Sequence, residues 1–282
     1  MLGWGMLQLA RRAKLARPLL LLFASAGALA AQTFIQMSDT QFGMYTKDAD
    51  LVHETANFEF AVAAANRLKP AFVVITGDLI NKTGDAAQAA EYKRIASKLD
   101  PKIKLYSVAG NHDVGNDPTR ESLAQYRERF GPDYYSFRVG DVAGIVLNSN
   151  LEKGAEQVPD EAAKMESWFR KELERVKLSG ATHIILFQHI PLFLKDPNEE
   201  DQYFNIPKPV RERYLKLLHE YGVHQVFAGH YHRNELGRDG DLEMVTNAPV
   251  GMPLEGAKSG IRVDTVKDGA VAHKYYDFGD LP

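Results

Sequence analysis

Five short stretches carry the residue types that could do chemistry. Gly110-Asn111-His112-Asp113 presents an amide, an imidazole and a carboxylate in succession, directly after the apolar run 105–109. In a core, each of these groups left unpaired would cost about 1–3 kcal/mol. Around a bound, metal-held phosphate they have uses: a neutral oxygen ligand, a proton donor, and a carboxylate that orients or neutralises. Four other apolar runs end in the same way. They lead into Asp39, into Gly77-Asp78, into His189, and into Gly229-His230-Tyr231-His232. Taken singly, each ending could be a turn or a helix cap. Together they form the set a catalytic centre would leave, because the working crevice of an open α/β sheet lies at the carboxyl ends of its strands. Carboxylate, amide oxygen and imidazole form a ligand set suited to two first-row divalent or trivalent ions, and no cysteine is present to offer a thiolate. Two such ions close together need a bridging carboxylate, and Asp78 after a central strand is the best candidate. A water between them would lose a proton easily and could attack phosphorus in line.

The elements that must position these residues read as strand, helix, strand, helix. β-branched and aromatic runs at 33–37, 72–76, 105–109, 183–187 and 225–228 predict buried strands. Helical spacing covers about 50–68, 85–99, 119–130, 159–178 and 209–221, with Pro70 and Pro101 closing the first two. Residues 135–139 and 142–147 around Gly140-Asp141 predict a β-hairpin, and strands follow near 242–246, 261–266 and 271–278. The alternation makes the fold class α/β, with the later antiparallel pieces predicting a second sheet packed on the first. One domain is expected over 31–282.

The ordered motifs resemble the calcineurin-like metallophosphoesterases, whose signature runs D-x-H, GD, GNH-D/E, H and GHxH. Here it stands as Asp39-Thr40-Gln41, Gly77-Asp78, Gly110-Asn111-His112-Asp113, His189 and Gly229-His230-Tyr231-His232. The surrounding residues are most similar to the CPPED-type branch, known in animals as a serine/threonine protein phosphatase. The resemblance implies two packed mixed β-sheets flanked by helices, and a pair of metal ions such as manganese, iron or zinc. It implies Asp39, Asp78 and His232 on the first ion, and Asp78, Asn111, His189 and His230 on the second. His112 would protonate the leaving oxygen, since imidazoles titrate near neutrality. Asp113 would orient or charge-balance that ring, or be a surface turn carboxylate. Gln41 stands where most members carry a second histidine on the first ion. Its amide oxygen is a weaker ligand, which would make that site labile or favour manganese or magnesium over iron.

Hydrolysis of phosphate monoesters, of small molecules or phosphoproteins, is the activity implied. A phosphodiesterase or nucleotide hydrolase is the alternative within the fold, and a metal- or phosphate-binding module with a weakened first site is the non-enzymatic one. The chain has 282 residues and a net charge of −3, which gives no basic footprint for nucleic acid. Residues 1–30 combine Arg11, Arg12, Lys14 and Arg17 with a short apolar run and Ala28-Leu29-Ala30, the pattern of a secretory signal. Cleavage after Ala30 would remove those four basic residues and no acidic one, taking the net charge from −3 to −7. The protein is therefore expected to be exported, periplasmic or secreted, without a membrane span once the signal is gone. Protein phosphatase substrates are scarce in such a compartment. Outside the motifs, His53, His183, His219, His224 and His273 are expected to be structural or surface residues, and Trp168 a core contact. The acidic loop 198–201 could rim the site, and Asn148-Ser149-Asn150 could point an amide at substrate or simply form a turn.

Overall fold

The computed structural model describes Met1, residues 31–267 and residues 270–282. The expected signal lies outside the described residues. No helix among them is long and apolar enough to cross a membrane.

The chain runs β1 (Gln32–Met37), α1 (Val52–Leu68), β2 (Phe72–Ile75), α2 (Ala86–Ala96), β3 (Lys104–Ser107), α3 (Asn111–Val114), α4 (Arg120–Phe130), β4 (Tyr135–Val139) and β5 (Val142–Val146). It continues α5 (Asn150–Lys153), α6 (Pro159–Leu178), β6 (His183–Phe187), α7 (Lys208–Tyr221), β7 (Gln225–Ala228), β8 (Glu235–Asp239), β9 (Leu242–Thr246), β10 (Gly260–Lys267) and β11 (Ala270–Asp277). Helix starts follow local chemistry. The Asp85 carboxylate accepts from the amides of Ala87 and Gln88 ahead of α2, and Thr119 and Ser122 cap α4 reciprocally.

Two mixed sheets result, ordered β11-β10-β1-β2-β3 and β4-β5-β6-β7-β9-β8. In the first, β1, β2 and β3 are parallel and β10 joins antiparallel; in the second, β5, β6, β7 and β9 are parallel. The sheets face each other across an aromatic layer, with the Phe34 ring edge-on to Phe187 at 5.9 Å and to Phe227 at 5.6 Å. Alternation along β1 sends Phe34 and Gln36 into this layer and Ile35 and Met37 to the other face. There Ile35 and Met37 join the core that includes Phe58 of α1 and Tyr92 of α2, whose rings stack at 5.4 Å. Phe169 of α6 and Tyr214 of α7 stack at 5.6 Å and belong to the same core as Leu186 and Val226 of the second sheet. Helices thus flank both sheets, as expected.

Strand β8 is an addition to the expected elements. Its sequence, Glu-Leu-Gly-Arg-Asp, lacks a β-forming pattern, and it forms because it pairs antiparallel with β9 at the sheet edge. Gly237 lets it pass close to the Phe193 ring. One buried side chain ties this region to the site loops. Arg262 of β10 donates to Asn247 Oδ1 at 3.2 Å and to Asn234 Oδ1 at 2.8 Å, two residues beyond His232.

Candidate metal centre

All five motif stretches arrive at one rim, at the carboxyl ends of β1, β2, β3, β6 and β7. The turns that carry them are unusual. Asp39, Gln41, Asp78, His230 and His232 all adopt positive φ, between 39° and 68°. Left-handed backbone is uncommon for non-glycine residues and is held only where surroundings impose it. Here neighbouring turns are stitched together: Asp39 N donates to Gly77 O at 3.0 Å, Gln41 N to Asp78 O at 2.8 Å, and Gly229 N to His189 O at 3.0 Å. Each side chain is thereby turned back over its strand end. Gly110 is required by proximity, since a Cβ there would overlap the backbone nitrogen and Oδ1 of Asp78.

The side chains meet in two groups that share one carboxylate. Asp78, His189 and His230 offer ligand atoms within 4.8 Å of one another, and so do Asp39, Asp78 and His232. All are buried. His189 Nε2 lies 3.2 Å from Asp78 Oδ2 and 3.0 Å from Asn111 Oδ1, which brings Asn111 into the first of these groups. His232 Nε2 lies 3.3 Å from Asp39 Oδ1. The other ring nitrogens are fixed from behind. His189 Nδ1 faces Thr76 O at 2.8 Å, and His232 Nδ1 faces Met252 O at 2.6 Å. Donation from Nδ1 to a carbonyl leaves the Nε2 lone pair facing inward, the arrangement that prepares an imidazole for a metal. For His230 it is Nε2 that faces a carbonyl, Tyr203 O at 3.1 Å, so Nδ1 is the atom left to bind.

The residues fit a cation pair. Oxygen and nitrogen donors converge with no thiolate among them. The side-chain oxygen of Gln41, a residue only 1% exposed, has no hydrogen-bond partner. A buried acceptor without a donor is costly unless a cation or another donor serves it. Its Nε2 is 3.4 Å from Asn81 Oδ1, beside the loop that orients His112.

His112 sits at the edge of this cluster, partly exposed. Its backbone N–H donates to Asp78 Oδ1 at 2.8 Å, and its Nδ1 faces Asn81 O at 2.7 Å. The expectation for Asp113 needs correction. Its carboxylate is buried and accepts from the backbone of Leu79 (3.0 Å), Ile80 (3.1 Å) and Gly110 (2.8 Å). It therefore locks the Asp78 turn to the α3 turn, and the orientation of His112 comes from Asn81 O instead. Burial and the nearby Asp78 charge push the Asp113 carboxyl up, while the three N–H donors hold it down.

The Asn148–Asn150 segment is likewise structural. Asn148 Nδ2 donates to Asp133, Asn150 Nδ2 donates to Ala109 O, and Ser149 Oγ receives the amides of His189 and Ile190. In the acidic loop, Glu199 folds inward to accept from Leu194 N and Asn205 Nδ2. His219 and His224 pair with Asp239 and Asp241, His53 stacks on Tyr45, and Trp168 packs against Tyr134. Sequence reasoning missed Asn81 and Tyr203. Asn81 acts through its main chain, which leaves no mark in the sequence. Tyr203-Phe204, an aromatic pair inside a polar loop, was a signal that could have been used.

Residues 32–234 match the family model for calcineurin-like phosphoesterases. The chain belongs to that family. It is accordingly a metal-dependent phosphoric ester hydrolase, of a family that uses a dinuclear metal centre. The serine/threonine-protein phosphatase CPPED1 of Bos taurus is 38% identical over 263 residues, covering 88% of this chain and 84% of the bovine protein. The Homo sapiens protein of the same name is 37% identical with the same coverage. Among solved structures, the purple acid phosphatase PPD1 of yellow lupin shares the fold with a TM-score of 0.68 at 15% identity, covering 90% of this chain and 52% of the lupin one. A dimetal phosphatase from Danio rerio gives 0.60 at 16% identity, covering 87% of this chain and 99% of that one.

The cluster makes metal uptake pH-dependent. Burial opposes a charged His189, but the facing Asp78 carboxylate outweighs it and raises the imidazole pKa to about 9. A metal requires the neutral ring. At neutral pH, uptake at the Asp78–His189–His230 group must therefore expel a proton. Affinity is expected to rise by about tenfold per pH unit as pH climbs toward about 9, then level off. Manganese titrations of metal-free protein in buffers of different ionisation enthalpy would count the protons. Uptake independent of pH between 6 and 8 would contradict this.

Proposed function

We propose that the chain hydrolyses phosphate monoesters, phosphoseryl and phosphothreonyl groups among them, at a dinuclear centre. The sharing of Asp78 by two buried ligand groups carries this reading. Asp39, Asp78, His232 and the Gln41 oxygen would hold one cation, and Asp78, Asn111, His189 and His230 the other. When bound, the pair would supply Lewis-acid polarisation of the phosphoryl group and an acidified water as nucleophile. The protein's own residues do the rest. The backbone carbonyls of Thr76 and Met252 hold the ligand imidazoles in place, and the Asp78 carboxylate pins the His112 amide. With Nδ1 committed to Asn81 O, His112 has Nε2 free to deliver a proton to the leaving oxygen.

The name CPPED1 phosphatase carried by relatives at 36–38% identity favours monoesters of proteins. A panel of phosphoseryl peptide, p-nitrophenyl phosphate and bis-p-nitrophenyl phosphate, with manganese-loaded protein, tests the reading. Monoester turnover is expected to exceed diester turnover. The reverse order would make the protein a diesterase, and no turnover on any ester would leave a binding module.

A further inference from the structure

The loop between β6 and α7 carries an aromatic residue to the centre. Tyr203 reaches two of the proposed ligands at once: its carbonyl faces His230 Nε2 at 3.1 Å, and its phenol oxygen receives Asn111 Nδ2 at 3.3 Å. Its ring lies 4.9 Å from that of His230. In the contact with Asn111, Nδ2 is the donor and the phenol oxygen the acceptor. With Nδ2 given to the phenol, Oδ1 faces His189 and the ligand cluster.

The loop is built to hold this position. Lys153, at the end of α5, donates its ammonium to Gln202 O and Asn205 O as well as to Tyr203 O. Below it, Arg211 is fully buried and donates to the carbonyls of Pro197, Glu199 and Ile206. Asn205 Nδ2 joins Glu199 to Glu200 O. The tyrosine is nonetheless 52% exposed, so its ring stands at the mouth of the site and is not packed away. Since its oxygen acts as acceptor for Asn111, its own proton is uncommitted among the described residues.

Resting on the phosphoesterase reading above, we propose that Tyr203 is a further catalytic residue, whose phenol donates a hydrogen bond to a phosphoryl oxygen of ester bound beside Asn111. The donor touches substrate and transfers no proton. It stabilises the charge that accumulates on the phosphoryl oxygens, as a preorganised hydrogen-bond donor does.

Tyr203→Phe removes the hydroxyl and keeps the ring, the carbonyl at His230 and the Lys153 anchor. With manganese-loaded protein, kcat/KM for p-nitrophenyl phosphate is expected to fall by roughly 10- to 100-fold. The affinity for inorganic phosphate, measured by calorimetry, should weaken by about tenfold, while bound manganese and the melting temperature stay as in the parent. Unchanged phosphate affinity overturns the proposal, and so does a loss of manganese, which would make Tyr203 only a support for Asn111. Should the parent hydrolyse no ester, the phosphoesterase reading fails by itself, and the phosphate titration still decides the role of Tyr203. Failure of the parent to bind phosphate would overturn the proposal for Tyr203 and leave the phosphoesterase reading to the ester panel.

Discussion

Replacing Asp78 with asparagine is expected to empty both cation positions and to lower phosphate-ester hydrolysis by about 10³-fold or more. Removal of the several kcal/mol that a metal pair contributes to the transition state sets that scale. Asp78 is the one residue common to both ligand groups, and His189, Asn111 and the His112 amide are arranged around it. Asparagine fills the same volume and retains a carbonyl for the His112 amide, so the strand end should keep its shape. It lacks the charge, and its N–H₂ would turn one donor toward the cluster. Truncation of His230 to alanine supplies the control, since that residue belongs to one group only. It should cost one equivalent of metal where Asp78→Asn costs two. Elemental analysis of the purified variants, with a melting curve for each, measures both outcomes. Two equivalents of manganese retained by Asp78→Asn would remove Asp78 from the role of shared ligand.

How far the sequence was readable follows from where its signals come from. The parallel strands β2, β6 and β7 are buried on both faces, so they stand out as unbroken apolar runs, and the polar residue that ends each run is visible for the same reason. The α3 turn shows in the sequence only as a strand ending, because one turn of Asn-His-Asp-Val has no periodicity of its own. It is created by Gly110 and by Asp113 reaching back to the Gly110 amide. For that carboxylate the resemblance implies a role beside the His112 ring, with a surface turn as the alternative. Its partners, the Leu79 and Ile80 amides, lie more than thirty residues away and offer no side-chain pattern to detect. The same limit hid the carbonyls of Thr76, Asn81 and Met252, which aim three histidines. Side chains that gather at the rim were legible, whereas main-chain atoms that orient them were not.

Backbone conformation adds what composition could not. Five of the proposed ligands occupy left-handed turns, two of them, Asp39 and Gln41, on one loop and two more, His230 and His232, on another. Strain of this order, about 1–3 kcal/mol per residue, persists when the surroundings over-determine it. The bonds between the β1 and β2 turns and between the β7 and β6 turns do so, and in return the ligands cannot relax away from one another. Gln41 shares this enforced geometry. Its unpartnered oxygen is therefore a constrained feature of the turn, in keeping with a ligand weaker than histidine but held in place.

His112 separates chemistry from metal binding. Its alanine variant is expected to lose roughly 10²–10⁴-fold in turnover on phosphoseryl peptide, the usual contribution of a positioned general acid, with both cations retained. The loss should depend on the leaving group. An alkoxide such as that of serine departs poorly without a proton, whereas p-nitrophenolate departs readily as the anion. The variant should therefore be far less impaired on p-nitrophenyl phosphate than on the peptide. Structure supports the division of labour, because His112 contacts Asp78 through its backbone N–H, which alanine keeps, while only the ring reaches Asn81 O. With Nδ1 engaged there, Nε2 is the ring atom left to face the leaving oxygen. Kinetics on the two substrates, beside metal analysis, test both statements. An equal loss on both substrates, or a loss of metal, would show that the ring supports the centre and does not serve as its acid.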